Sequence, residues 1–285
     1  MSQIFSLPID EVVRKRYSVR SYEEMAIPKD TLKNIEEYMS KLDNPFQVAV
    51  KFKLLHTKGA SNEKKLGTYG MIKGATDYIG SAIPNVENNL EALGYAFEKL
   101  VLYLASIGIG TCWLGGTFNK GEFAKALNIE DGELFPAITP IGYAKDNKRI
   151  LESFARMAIK ADKRKDFEEL FFDKDFTKPL SKNLAGVYAE PLEFVRLGPS
   201  ASNKQPWRIV KDGDNFHFYE LRNPAYSDKL GYDIQRVDIG IALCHFQLGA
   251  LEKNLSGEIK KVDPGINKPA LADYICSWVK SNEVI

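Results

Sequence analysis

The sequence predicts an α+β fold in which two long, buried helices accompany short strands in antiparallel or mixed sheets. The first helix is expected over about Val86–Ile107, with apolar residues at helical spacing and an apolar second half, and a similar one over about Asp233–Asn254. Each has a glycine near its start, Gly94 or Gly240, and each ends in a glycine-containing turn before a strand-like run. A helix without a polar face must be buried. We interpret the pair as the central helices of an internal repeat, packed side by side; two unrelated buried helices are the alternative.

The residues before the first long helix predict two shorter helices and a strand. Asp10 is the expected N-cap of a helix that ends at Lys15, because its carboxylate can accept from the first amides. Pro28 is expected to begin a helix that ends near Leu42. The run Val48–His56 is rich in apolar residues and is typical of a strand.

The residues after the first long helix predict a glycine-rich turn and further strands. Its glycines invite a dinucleotide-binding interpretation, but Trp113 stands where such a loop needs its third glycine, and a helix rather than a strand precedes it. A strand is expected over Ala137–Ala144, and a helix over Tyr188–Leu197 leads into the loop Gly198–Ile209. The sequence therefore argues against a Rossmann-type nucleotide site.

Composition and charge exclude several classes of function. The chain has 285 residues, with 39 Lys and Arg against 38 Asp and Glu. A balance near neutrality provides no field that would attract nucleic acid or an anionic membrane. No apolar stretch is long enough for a membrane span, and the first residues do not resemble a signal peptide. We expect a cytoplasmic protein with a small-molecule substrate.

The cysteines and histidines do not form a pattern typical of a metal site. The cysteines are three in number, far apart and without a CxxC motif, which argues against disulfides as well. The three histidines have no ligand spacing and are expected to be structural. These residues are Cys112, Cys244, Cys276, His56, His217 and His245. The sequence pattern does not identify any side chain as a catalytic acid or base.

The loop GPSASNKQPWRI, Gly198–Ile209, has the composition of a rigid ligand-binding loop. Its two prolines fix φ and withhold donors. Between them lie short side chains that can donate to and accept from a polar heterocycle. These side chains are Ser200, Ser202, Asn203 and Gln205. An ordinary turn rich in serine, asparagine and proline is the alternative.

A second polar stretch, RKRYSVRSY, lies far upstream. Arg16, Ser18 and Arg20 occupy alternate positions, so in an extended chain their side chains face the same way. Two guanidinium groups and a hydroxyl on one face can bind a phosphate. A solvated basic segment is the alternative.

Together the two stretches resemble the nitroreductase family of FMN flavoproteins. The family's Arg-x-Ser-x-Arg/Lys element stands here as Arg16, Ser18 and Arg20, and its PSxxNxQPW loop as Pro199, Ser200, Asn203, Gln205, Pro206 and Trp207. The stretch GIGTCWLGGTF, Gly108–Phe118, is similar to the family's GxGTxWxG element, and FPAITPIGYA to the strand after it. The resemblance spans most of the chain and implies a nitroreductase-like fold with FMN as the cofactor.

The order of the motifs departs from that of an ordinary member. The PSxxNxQPW loop normally follows the Arg/Ser element after one helix, but KLDNPFQVAVKFKLLH stands there, and the loop appears only after Tyr188–Leu197. The resemblance therefore implies the double-length branch of the family, with two half-copies, 1–173 and 174–285, fused into an intertwined pseudo-dimer. One FMN per chain, held by residues of both halves, and a monomeric protein are expected.

The resemblance also implies roles for individual residues. Arg16 and Ser18 are expected at the FMN phosphate, and Arg20 at the pyrimidine edge near N1 and O2. The backbone of four residues should cover the N5 side of the ring: Trp113, Leu114, Gly115 and Gly116. The loop residues should line the ring and ribityl chain: Pro199, Ser200, Ala201, Asn203 and, as part of the same motif, Gln205. Lys163, Arg164 and Lys165 are the nearest counterparts of the family's phosphate-binding basic residues, with Arg149 as a competitor and a solvated surface run as the alternative.

The implied chemistry is that of an FMN-dependent oxidoreductase. NADH or NADPH is expected as electron donor and a nitroaromatic or quinone-like compound as acceptor, in a ping-pong reaction by hydride transfer. A degenerate relative that binds flavin without turnover, as a carrier or sensor, is the main alternative. An oxygen-dependent branch of the same fold that modifies its flavin is the third.

Overall fold

The computed structural model describes residues 4–57, 67–145, 163–224, 231–262 and 264–281. They fall into two compact units, Met1–Ala158 and Ile159–Ile285, each of which contains helices and a sheet. The α+β class predicted from the sequence is confirmed. Within the described residues, no helix is long and apolar enough to cross a membrane.

The helices of the first unit lie close to the positions that the sequence predicts. They are α1 (Ile9–Lys15), α2 (Lys29–Ser40), α3 (Asn89–Ser106) and α4 (Lys120–Ala126). Asp10 does not cap α1, because Pro8 occupies the N-cap position and the helix has already begun at Ile9. The Asp10 carboxylate instead accepts a hydrogen bond from Arg14 at 2.7 Å, one turn later.

The sheet of the first unit is antiparallel. Its strands are β1 (Lys51–His56), β2 (Asp77–Pro84), β3 (Gly110–Thr111), β4 (Glu133–Leu134) and β5 (Ile138–Gly142), in the order β1-β2-β5-β3, with β4 paired to β2. The first strand begins at Lys51 rather than at Val48. The Asn44 side chain donates to the Val48 carbonyl at 2.7 Å and accepts from its N–H at 3.4 Å, which holds these residues in a turn.

The second unit has four helices among its described residues and a mixed sheet. The helices are α5 (Phe167–Leu170), α6 (Lys182–Ala185), α7 (Ala189–Leu197) and α8 (Gln235–Glu252). The strands are β6 (Phe171–Asp173), β7 (Trp207–Asp212), β8 (Asn215–Leu221), β9 (Gly257–Lys260) and β10 (Ala272–Lys280). Their order is β6-β7-β8-β10-β9, and β6 and β7 are the parallel pair.

Most apolar residues of each long helix are buried, as a helix without a polar face requires. In α3, Leu93, Phe97 and Leu100 have no solvent exposure. In α8, Phe246 packs against Phe216 of the sheet, with 4.7 Å between the ring centroids. Both predicted helices are confirmed; their packing against each other stays a prediction.

The two units share one strand order around their long helices. In the first, two antiparallel strands precede an 18-residue helix, and the later strands complete the order β1-β2-β5-β3. In the second, β7 and β8 precede an 18-residue helix, and the path continues β7-β8-β10-β9. If the four strands of each path are numbered along the chain, with β4 left out, both paths have the order 1-2-4-3. The loop 41–50 before β1 therefore corresponds in topology to the loop 198–206 before β7.

The second unit begins at Ile159, earlier than residue 174, where the sequence placed the change of half-copy. Residues of the intervening stretch hydrogen-bond within this unit: the Lys165 N–H donates to Gln205 Oε1 at 2.8 Å. The strand β6 also pairs with β7, Phe171 lying opposite Ile209. These contacts attach residues 163–173 to the second sheet.

Candidate functional site

The basic segment of the first unit is extended, as its alternating pattern predicts. Ser18 pairs in parallel with Thr111 of β3, and the Val19 N–H donates to the Thr111 carbonyl at 2.8 Å. The Arg20 carbonyl accepts from the Lys73 N–H at 2.9 Å. Val19 is buried while Ser18 and Arg20 are partly exposed. The backbone is thus fixed on both sides, and the polar side chains share one face.

The two arginines of this segment each have a buried guanidinium nitrogen that makes no hydrogen bond within the described residues. Neither Arg16 nor Arg20 has a partner for its buried Nε among the residues that the structure describes. Burial lowers the pKa of the Arg16 guanidinium, and nearby Glu98 and Cys112 oppose that shift. A guanidinium removed from water with donors unused is stabilised by an anionic oxygen ligand.

Cys112 is the residue on which the three predicted side chains converge. Burial raises the pKa of its thiol, while Arg20, a hydrogen bond from Ser18, and Arg16 oppose the shift. The structure therefore brings Arg16, Ser18 and Arg20 together beside the residue that follows β3. Sequence reasoning considered Cys112 only as a possible disulfide or metal residue.

The stretch from Trp113 to Gly116 continues directly from Cys112. Leu114 has both backbone groups paired with Ile138, at 3.0 Å in each direction, and its side chain is buried. The N–H groups of Trp113, Gly115 and Gly116 have no hydrogen-bond partner within the described ranges. Leu114 therefore anchors this stretch to the sheet, while the neighbouring amides remain available to a ligand.

Glu98 fixes the indole of Trp113. Its carboxylate lies on α3, has no solvent exposure, and accepts from Trp113 Nε1 at 2.8 Å. The Phe97 ring packs on the same indole, with 4.6 Å between centroids. Sequence reasoning missed Glu98, although an acidic residue inside an otherwise apolar helical stretch is a signal that could have found it.

Glu98→Gln is expected to lower the free energy of unfolding by about 1 kcal/mol, because a charge-assisted hydrogen bond becomes a neutral one and Arg16 loses its nearby acid. Urea unfolding followed by circular dichroism measures the change. Glu11→Gln is the matched control, since Glu11 is exposed and pairs with Lys15 at 3.1 Å. Equal stability of the Glu98→Gln variant and the unmodified chain would contradict the stabilising role assigned to the Glu98 carboxylate.

The loop of the second unit lies between α7 and β7 and contains residues in the left-handed region. Ser202, Asn203 and Gln205 have φ values of 47°, 54° and 50°. Asparagine tolerates this region, but serine and glutamine adopt it at a cost of about 1 kcal/mol or more each. Backbone held in this way must be fixed by its surroundings, as is common at ligand-binding sites.

Hydrogen bonds within the unit fix this loop. The Gln205 N–H donates to Ser200 Oγ at 2.9 Å, which closes the loop on itself. The Ala201 N–H donates to Asp238 Oδ1 on α8, also at 2.9 Å. Pro199 follows Gly198, the C-cap residue of α7, and is partly exposed. The loop therefore continues directly from α7 and is anchored to α8.

The basic residues Lys163 and Arg164 lie against the same loop. Arg164 Nη1 donates to Asn203 Oδ1 at 3.0 Å, and Asn203 Nδ2 donates to the Lys163 carbonyl at 2.6 Å. Gln205 Oε1 accepts from the Lys165 N–H at 2.8 Å. The structure thus groups these predicted residues in one unit and gives Arg164 a bracing contact to the loop. Arg149, the predicted competitor, lies outside the described residues.

Buried carboxyl groups lie behind the loop. Burial raises the pKa of Asp238 well above its usual value, although the Ala201 N–H opposes this. Burial, together with Asp233, raises the pKa of Glu220 to about 8, although Arg236 lies 2.7 Å away and opposes this. Sequence reasoning missed these carboxyl groups, because Glu220 looks like an ordinary polar position in an alternating strand.

Residues 8–250 of the chain match the model of the protein family described as "Putative TM nitroreductase". No curated protein matches the sequence significantly. In structure, the chain is similar to a "putative nitroreductase" from Thermotoga maritima MSB8, with a TM-score of 0.61 and 20% identity. That similarity covers 98% of this chain and 96% of the other, and it shows a shared fold.

Shorter structures match about half of this chain. One is a nitroreductase with bound FMN from Desulfitobacterium hafniense DCB-2, with 19% identity, a TM-score of 0.41, and coverage of 52% of this chain and 93% of that one. Another is a nitroreductase with bound FMN from Bacteroides fragilis NCTC 9343, with 18% identity, a TM-score of 0.41, and coverage of 50% and 92%.

Proposed function

We propose, from the premise that this chain belongs to the TM nitroreductase family of oxidoreductases, that it is an FMN-dependent NAD(P)H oxidoreductase acting on nitroaromatic or quinone-like acceptors. The observation that carries the proposal is the convergence of Arg16, Ser18 and Arg20 on one face beside Cys112. Paired guanidinium groups next to a hydroxyl are suited to a phosphate and to the anionic edge of a reduced flavin.

The described residues fit FMN as a ligand. The buried Nε atoms of Arg16 and Arg20 lack partners in the described chain, so an anionic ligand would satisfy donors that the protein leaves unused. We assign Arg16 and Ser18 to the phosphate and Arg20 to the pyrimidine edge. A fixed cation at that edge stabilises negative charge on the ring and raises its reduction potential.

Backbone and loop residues complete the proposed binding site. The amides of Trp113, Gly115 and Gly116, which have no partner in the part of the chain that the structure describes, can donate to the ring, and Leu114 anchors them to the sheet. From the loop, we assign Pro199, Ser200, Ala201 and Asn203 to the ring and ribityl chain; Gln205 holds the loop closed. Lys163 and Arg164 support the loop through Asn203.

FMN, when bound, supplies the redox chemistry by accepting a hydride and passing electrons on. The chain's own residues bind and orient it and hold charge at the pyrimidine edge. No catalytic acid or base is needed for this reaction, because the nicotinamide donor and the electron acceptor would occupy the same face of the flavin ring in turn. A ping-pong order of NAD(P)H and acceptor follows.

We further propose that the chain consists of two half-copies, 1–173 and 174–285, that together bind one FMN and replace the usual dimer. The shared strand order of the two units supports this. The motifs are also complementary: the first unit has the Arg/Ser segment, and the second has the polar loop at the topological position that residues 41–50 occupy in the first. A monomer with one FMN per chain is expected.

An absorbance titration with FMN, followed by addition of NADH or NADPH under nitrogen, tests the function. The expected result is saturation at one FMN per chain, bleaching by a nicotinamide nucleotide, and recovery of the flavin spectrum with a nitroaromatic or quinone. FMN bound tightly but reduced by neither nucleotide would instead indicate a carrier or sensor. Modified flavin after aerobic turnover would indicate the oxygen-dependent branch, and saturation at two FMN would contradict the half-copy scheme.

A further inference from the structure

Asp238 connects the long helix α8 to the first half of the loop 198–206. It lies in the first turn of α8, is only 3% exposed, and its Oδ1 accepts from the Ala201 N–H at 2.9 Å. Acidic residues in the first turn of a helix are common, but they are mostly exposed to solvent. Here the carboxyl group is buried, and it bonds to the backbone of a segment 37 residues earlier.

The bonded peptide group lies where the loop backbone changes conformation. Ser200 is extended, with a φ of −149°, whereas Ser202 and Asn203 have left-handed φ values of 47° and 54°. Left-handed residues other than glycine persist only where their surroundings hold them. The Asn203 N–H donates to the Ser200 carbonyl at 2.9 Å, and the Lys204 N–H donates to the Ala201 carbonyl at 3.1 Å. These two bonds close the turn on itself but do not attach it to the helix.

The later half of the loop has its own anchor within the second unit. The side chains of Asn203 and Gln205 hydrogen-bond to the backbone of residues 163–165. The bond from the Ala201 N–H to Asp238 instead holds the earlier half. Removal of the Asp238 side chain should therefore release the backbone around Ala201 and leave the anchor at residues 163–165 in place.

The surroundings of Asp238 favour its neutral form. Burial raises the pKa of its carboxyl group well above the usual value, Glu220 and Asp233 raise it further, and the Ala201 N–H opposes the shift. Arg236 lies on the same helix, and its Nε is 2.7 Å from the Glu220 carboxylate. A neutral carboxyl group has one acceptor oxygen and one O–H donor, and asparagine likewise offers an acceptor and a donor. Asparagine at this position should therefore keep the bond to Ala201.

We propose that Asp238 is a positioning residue for the flavin, because its side chain sets the orientation of the Ser200–Ala201 peptide group in the loop that lines the ring and ribityl chain. The inference rests on the proposed function, in which Ser200 and Ala201 belong to the FMN site. Asp238 acts through the Ala201 amide, from the helix side of the loop. Without it, the polar groups of the loop would no longer be held in one arrangement before the flavin binds.

Hydrogen exchange on the flavin-free chain tests the positioning directly. Exchange at the Ala201 amide, measured by mass spectrometry, should be about tenfold faster in Asp238→Leu than in the unmodified chain, the scale of one hydrogen bond. Asp238→Asn should keep the slow exchange. The Lys165 amide, which donates to Gln205 Oε1 at 2.8 Å, should exchange at the same rate in all three proteins.

Flavin affinity tests the consequence for binding. The Kd for FMN and the Kd for riboflavin should each rise about tenfold in Asp238→Leu, because the loop is assigned to the ring and ribityl chain, which both ligands contain. In Asp238→Asn both values should stay within about twofold of those of the unmodified chain, which would be rescue by the conservative variant. If Asp238→Leu does not fold, Asp238→Ala provides the same comparison.

Ser277→Ala is the matched control, because Ser277 is a fully buried polar residue of the same unit, bonded to His217 and Tyr274 rather than to the loop. It should lower stability without changing exchange at Ala201 or flavin affinity. Equal exchange at Ala201 in Asp238→Leu and the unmodified chain would overturn the inference.

Three further results would also overturn it. They are faster exchange with unchanged flavin affinity, an Asp238→Asn variant that behaves like Asp238→Leu, and an equal loss of flavin affinity in Ser277→Ala, since affinity would then follow the stability of the unit. Failure of the proposed function would be distinct: the unmodified chain would bind no FMN, or neither nicotinamide nucleotide would reduce the bound flavin.

Discussion

Replacing Arg16 with alanine is expected to weaken FMN binding by about 1.5 to 3 kcal/mol, which is roughly a tenfold to 150-fold rise in Kd. Arg16 contributes a buried guanidinium whose Nε has no partner among the described residues. In the bound protein we expect that cation to donate to the FMN phosphate, and alanine removes both the hydrogen bond and the charge. The fold should tolerate the change, because Arg16 follows the last residue of α1.

Quenching of flavin fluorescence measures the FMN affinity, and riboflavin serves as the phosphate-free ligand. The Arg16→Ala variant should lose affinity for FMN while its affinity for riboflavin changes little. Arg14→Ala is the matched control, since Arg14 lies two residues earlier, is exposed, and pairs with Asp10 at 2.7 Å. An unchanged Kd for FMN in the Arg16→Ala variant would remove the assigned phosphate site.

Asn203→Ala tests the second unit's part in the same site. We expect a loss of the same size, about 1.5 to 3 kcal/mol, because alanine removes a partly buried carboxamide that bonds to a charged group and also holds the loop. Its carboxamide accepts from Arg164 and donates to the Lys163 carbonyl, so the loop would lose two of its hydrogen bonds to residues 163–164. A loss for FMN and riboflavin alike is expected, in contrast to Arg16→Ala. Equal affinities before and after the change would exclude the loop from the site.

Local patterns were sufficient to predict the elements that carry the site. The alternation of Arg16, Ser18 and Arg20 predicts their common face, because successive side chains of an extended segment point to opposite sides. The apolar periodicity predicts α3 and α8 within a few residues at each end. Errors occurred at the first residues of two elements, where a neighbouring residue outside the periodic pattern set the boundary. Pro8 replaced Asp10 as the cap of α1, and Asn44 delayed the start of β1.

Contacts between residues distant in sequence could not be predicted. Glu98 and Trp113 are on different elements. Nothing in either local pattern indicates that the Glu98 carboxylate accepts a hydrogen bond from the Trp113 indole. The hydrogen bond from the Lys165 N–H to the Gln205 side chain likewise depends on the packing of residue 165 against a loop about 40 positions later. Such pairs form only when the tertiary structure brings the elements together, so a single sequence gives them no periodic signal.

The stability of the second unit is expected to fall as the pH rises from about 5 to about 9. Glu220 lies on β8, has no solvent exposure, and faces Asp233, Asp273, Arg236 and Asp238. Burial is the largest cause that raises its pKa from 4.5 to about 8. The folded protein therefore keeps a proton that the unfolded chain releases above pH 4.5. When the folded state binds more protons, raising the pH favours unfolding.

The size of this effect follows from the shift in pKa. Stability due to protonated Glu220 is fully present below about pH 4.5 and is lost as the pH rises through about 8. A shift of this size between buried, interacting carboxyl groups corresponds to a loss on the order of a few kcal/mol. Asp238 adds a change in the same direction, because burial also raises its pKa.

Urea unfolding at pH 5.5 and pH 8.5 measures the difference, with Trp207 and Trp278 as reporters. Both indoles are fully buried in the second unit, and Trp113→Phe removes the signal of the first unit. Glu220→Gln keeps the shape of the side chain but cannot ionise, so it should reduce the pH dependence and leave mainly the part due to Asp238. Glu258→Gln, at an exposed carboxylate paired with Lys260 at 2.8 Å, should leave the dependence intact. If the unmodified chain is as stable at pH 8.5 as at pH 5.5, Glu220 is ionised in the folded protein, and its ion pair with Arg236 outweighs burial.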